Sequence, residues 1–74
     1  MKLSESKMGD QLTVNRMELP QSTMMRLKSL GMTNGTVVRI LNRKKSGSVI
    51  LSVRGTRLAL GTRICDAIEV GRIH

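Results

Sequence analysis

At 74 residues the chain has room for one small core, and with no Phe, Tyr or Trp that core must be built from Leu, Ile, Val and the six Met. Thirteen Lys and Arg against five Asp and Glu give a formal net charge of +8 and a pI near 11.3, which points to an acidic partner: nucleic acid, an anionic membrane surface or an acidic protein face. A single cysteine excludes an internal disulfide, no apolar run approaches the roughly 20 residues of a membrane span, and "MKLSESKMGD" lacks the apolar stretch of a signal peptide, so a soluble protein of a reducing cytoplasm is expected.

Along the chain one turn design recurs. "MGDQLTV" (Met8–Val14), "NGTVVRI" (Asn34–Ile40) and "RGTRLAL" (Arg54–Leu60) each place a glycine just before an alternating or β-branched run, so Gly9, Gly35 and Gly55 are read as turns that start strands. Between the first two lies a helix of about ten residues. Pro20 suits its first turn, Gln21 or Ser22 stands near its start, and Gly31 ends it as a C-cap glycine. At about 100° per residue, Met24, Leu27 and Leu30 share an inward stripe and Met25 faces out beside Arg26. A helix this short must dock on the sheet to be stable.

The strand Thr36–Leu41 then leads through a loop, 42–48, whose tip carries Lys44 and Lys45, to a strand beginning at Val49. If Arg54-Gly55 is a two-residue turn, Val53 faces Thr56, Leu51 faces Leu58 and Val49 faces Leu60, which makes one face almost wholly apolar. Arg is not the favoured first turn residue, so a bulged turn with Gly55 in the left-handed region is the alternative, and the hairpin stands either way. Ser52 with Arg57 and Ile50 with Ala59 form the opposite, partly wet face. The pattern predicts one mainly β domain over residues 1–74, a small barrel or sandwich with a helix between its first two strands.

Chemistry is sparse. His74 is the only histidine and the last residue, the five carboxylates show no spacing suited to acid–base work, and no glycine pattern matches a P-loop, so no catalytic residue is expected. Cys65 and His74 fall short of the four close ligands of a zinc site. Cys65 reads instead as a small buried apolar residue, and neither a bound metal nor a cofactor is expected.

At these positions the sequence resembles a known family. "RLKSLGMTNGTVVRI" (Arg26–Ile40) resembles the R-L-x-x-L-G-[LM]-x-P-G-x-x-V-x-V stretch of the FeoA family, small cytoplasmic proteins of bacterial ferrous iron uptake. "LSESKMGDQLTV" is similar to the family's opening L-x-x-x-x-P-G-D-x-x-x-V, "VRGTRLAL" to its G-x-x-[IL]-A-L hairpin, and "RICDAIEV" to its closing E-A-x-x-I-x-V. Family prolines are replaced by Met8 and Asn34, the frequent Ala-Pro-x-Gly loop is "RKKSGS", and Gly61 stands where an Arg is usual.

The resemblance implies an SH3-like barrel with a helical insertion, a monomer or weak oligomer, acting as a non-enzymatic accessory of FeoB, a membrane transporter with a cytoplasmic GTPase domain. Its candidate contacts here are Met25 and Arg26 on the displayed helix face and Arg43, Lys44 and Lys45 in the loop, with Gly9, Gly31, Gly35 and Gly55 as structural turns. The alternative is a basic barrel that binds nucleic acid on charge alone. The missing aromatic stacking groups argue against single-stranded targets, and no stable nucleic acid complex is expected.

Overall fold

The computed structural model describes residues 1–73, so the reading of His74 lies outside the described residues. Strand β1 (Gln11–Met17) shows how the sequence sets its own irregularity. Leu12 and Val14 alternate inward, but the next apolar residue, Met17, has the opposite parity. A bulge at Asn15, between Val14 paired with Val70 and Arg16 paired with Glu69, absorbs the extra residue and turns Met17 into the core. Strand β2 (Val37–Arg43) buries Val38 and Ile40 and bulges at Leu41. It begins one residue later and ends two later than the sequence pattern predicts.

Strands β3 (Val49–Val53) and β4 (Thr56–Leu60) form the hairpin in the predicted register, from Val53 opposite Thr56 to Val49 opposite Leu60. Arg54 at φ 49° and Gly55 at φ 80° make the two-residue turn that matches strand twist. Val49, Leu51 and Val53 are buried, whereas Ile50 and Ser52 on the other face are half-exposed. With β5 (Ile68–Arg72) the strands form one antiparallel sheet in the order β4-β3-β2-β1-β5.

Side chains and short helices join the two ends of this sheet. Helix α2 (Thr62–Asp66) leads from β4 to β5, and a 3-10 turn at Leu3–Glu5 packs beside it. Ser4 Oγ donates to Asp66 Oδ1 at 2.5 Å, Arg43 Nε donates to the Ser4 carbonyl at 2.9 Å, and Thr62 Oγ1 donates to the Ser46 carbonyl at 3.0 Å. Leu3, Leu12, Leu51, Ile68 and Val70 meet in the closed core. Neither the turn at Leu3–Glu5 nor α2 was foreseen, because an element of one turn shows no periodicity.

Helix α1 (Gln21–Ser29) lies between β1 and β2 as predicted, with Pro20 as its N-cap rather than inside its first turn. Leu27 is buried, Met24 half-buried and Met25 61% exposed. Leu30 departs from the expected stripe and is 40% exposed. The reason is the cap: Leu30 is the C-cap residue, Gly31 takes φ 95°, and the chain reverses before the stripe continues. The Gly31 N–H bonds the Lys28 carbonyl and the Met32 N–H bonds the Leu27 carbonyl, both at 2.9 Å, the paired bonds of a Schellman motif. Met32, fully buried, therefore fills the place assigned to Leu30.

Candidate partner-binding surface

The four turn glycines read from the sequence, Gly9, Gly31, Gly35 and Gly55, all have positive φ, and Gly47 in the β2–β3 turn adds a fifth. They set where the candidate contact residues stand. Met25 and Arg26 project from the outer face of α1, and Lys44 and Lys45 from the tip of the β2–β3 turn, all exposed. Arg43 differs from its two neighbours. Its Nε–H bonds the Ser4 carbonyl and ties the N-terminal segment to the sheet, while the other four guanidinium N–H donors stay available on an exposed side chain.

The β3–β4 hairpin separates the two clusters. Its tip touches the end of α1, since a Cβ on Gly31 would lie 2.9 Å from Arg54 Cδ. Its base adjoins the lysine turn, where Lys44 lines a cleft with Val49, Ile50, Ala59 and Leu60. Thr56 to Leu60 spans about 13 Å, so no single small ligand unites Met25 with Lys44.

Charge is unevenly distributed along the chain. Residues 19–65 contain no Asp or Glu but carry nine of the thirteen cations: Arg26, Lys28, Arg39, Arg43, Lys44, Lys45, Arg54, Arg57 and Arg63. All five carboxylates belong to the segments on either side, and each has a local use. Glu5 accepts the Lys2 N–H, Asp10 the Lys7 N–H and Asp66 the Ser4 hydroxyl, while Glu18 pairs with Arg16 and Glu69 with the N-terminal ammonium. The cations run along the whole chain, from Lys2 to Arg72, but the acids do not. On the outer face of the sheet Arg39, Ser52 and Arg57 are cross-strand neighbours on β2, β3 and β4. A second, polar cleft of about 470 Å³ lies between Asp10, Gln11, Arg39 and Arg72, where Asp10 faces Arg72 at 3.9 Å.

Cys65 is fully buried, and its Sγ donates to the Leu60 carbonyl at 3.4 Å. Burial pushes the thiol up to about 11, the Asp66 charge adds to the rise, and a backbone hydrogen bond at Val49 opposes it. At neutral pH it is a protonated core group and a poor metal ligand or nucleophile. Among the described residues no three His, Cys, Asp or Glu converge on a metal-sized site. No helix among them is long and apolar enough to cross a membrane.

The strand order, the closing turns and the helix inserted between β1 and β2 define the class: a small SH3-like barrel. The sequence profile of the FeoA domain matches residues 1–72, and the chain belongs to the FeoA family. A Methanocaldococcus jannaschii protein provisionally named Fe(2+) transport protein A is 29% identical over 68 residues, covering 92% of this chain and 82% of that one. The FeoA protein of Chlorobium tepidum superimposes with a TM-score of 0.91 at 27% identity, covering all of this chain and 71% of that one. A crystal structure of FeoA described as an iron uptake regulatory protein gives a TM-score of 0.87 at 29% identity, covering 99% and 97% of the two chains. The family is associated with Fe(2+) transport.

Proposed function

We propose that this protein is a cytoplasmic, non-enzymatic accessory of ferrous iron uptake that binds the cytoplasmic part of a FeoB-like transporter, with residues 1–74 acting as one module. Iron is then the cargo of the transporter and not a ligand of this chain. The observation that carries the reading is the acid-free segment 19–65, which leaves α1, β2 and β4 with cations as their sole charged side chains, β3 with none, and hence a net positive field, inside a family of iron transport. Such a field speeds encounter with an acidic protein face and screens with salt. The exposed Met25 beside Arg26 adds an apolar contact next to a cation, a composition common at interface centres.

Calorimetry with the purified cytoplasmic part of the transporter tests this at about 50 and 300 mM salt, where screening lengths differ about 2.5-fold. Binding that weakens at the higher salt is expected, as is a loss of affinity in Met25→Asp and, to a lesser degree, Arg26→Glu. Absence of binding at low salt refutes the reading, and recovery of nucleic acid alone from cell extract replaces it with the charge-driven alternative.

A further inference from the structure

We infer that the open edge of β4 receives an extended acidic segment of the partner as an added strand, an inference that rests on the transporter-accessory reading above. Among the described residues β4 pairs only with β3, so its other side is unpaired. In a two-residue hairpin the pair flanking the turn exchanges both backbone bonds, and the pairs alternate from there. Val53 with Thr56, Leu51 with Leu58 and Val49 with Leu60 are therefore the bonded pairs, and the N–H and C=O groups of Arg57 and Ala59 point out of the sheet edge. The strand contains no proline and no bulge that would deny this edge to another chain.

The side chains along the edge specify what fits. Arg57 and Ala59 lie on the outer face, where Ala59 and Ile50 floor a cleft of about 250 Å³ with Val49 and Leu60, and Lys44 stands at its far rim. Along the strand the order is a cation, an apolar cleft and a cation. Side chains on an added strand alternate between faces, so every second residue meets this row. The complementary segment is acidic, any residue, apolar, any residue, acidic, with the apolar side chain in the cleft. The acid-free character of residues 19–65 supplies the charge complementarity and disfavours a second copy of this chain, whose own edge carries the same sign.

Amide exchange with and without the cytoplasmic part of the transporter, together with binding by two variants, tests the inference. Arg57 and Ala59 amides should exchange freely in the isolated protein and become protected in the complex. Ala59→Pro removes an outward N–H at a position where an edge strand tolerates proline, and Arg57→Glu reverses one flanking charge. Each should lower affinity about tenfold, the scale of one lost hydrogen bond or charge contact, with the melting temperature near that of wild type. If Ala59→Pro does not fold, Arg57→Glu and the exchange pattern decide. Wild-type binding with both amides unprotected and Arg57→Glu unaffected overturns the strand-addition inference while leaving the accessory reading in place. No wild-type binding overturns both, and protection of these amides in the isolated protein, with a dimer in sedimentation, assigns the edge to self-association instead.

Discussion

Gly31 and Arg54, 23 positions apart, are in direct contact: the Arg54 side chain lies where a Cβ on residue 31 would have to stand, with Cδ 2.9 Å from that position. This contact joins the C-cap of α1 to the tip of the β3–β4 hairpin. Both residues have positive φ, 95° at Gly31 and 49° at Arg54. Arg54 accepts an uncommon backbone conformation, and its stem covers the glycine.

Gly31→Ala should therefore destabilise the protein by about 1–2 kcal/mol, mostly from the positive φ that a Cβ opposes. The remainder comes from Arg54, whose flexible stem can move aside. A double-mutant cycle with Arg54→Asn, a residue suited to this turn, should show a coupling of about 0.5 kcal/mol in urea unfolding. Full additivity would remove Arg54 from the cost.

On α1 two neighbouring positions should behave oppositely. Leu27 is 4% exposed and Leu27→Asp buries a charge without a partner, so the cooperative thermal transition should be lost. Met25 is 61% exposed, and Met25→Asp should change stability by no more than about 0.5 kcal/mol. A large drop in melting temperature for Met25→Asp would mean that this face is packed.

The basic turn should divide in the same way. Arg43→Ala loses the hydrogen bond to the Ser4 carbonyl and should cost about 1 kcal/mol. Lys44→Glu with Lys45→Glu should leave unfolding near wild type and slow association with the transporter fragment in stopped-flow measurements. Equal losses of stability in both variants would contradict the distinct role given to Arg43.

Cys65 makes an alkaline prediction. Its pKa is raised from 9.0 to about 11 in the folded protein, so between those values the folded state holds the proton and the unfolded state releases it. This contribution is complete below pH 9.0 and is lost as pH rises toward about 11. Cys65→Ala should show a shallower fall in stability across that window than wild type. Iodoacetamide should label the native thiol slowly at pH 8 and rapidly in denaturant, and fast native labelling would refute the buried assignment.

The sequence by itself determined the hairpin Val49–Leu60, since alternation admits one register that buries Val49, Leu51 and Val53 together. It determined the helix ending before Gly31, the four turn glycines and the outward face of Met25 as well, all set by neighbours within one turn. Tertiary structure alone decided that Met32 replaces Leu30 in the core, because the direction of the chain after a cap depends on what the cap packs against. It also decided that Arg43, exposed like Lys44 and Lys45, ties the fold through the Ser4 carbonyl, a contact with a residue 39 positions away. The open edge of β4 belongs to the same group. Strand order is a property of the assembled sheet, and a strand's own sequence is the same whether a neighbour or solvent lies beside it.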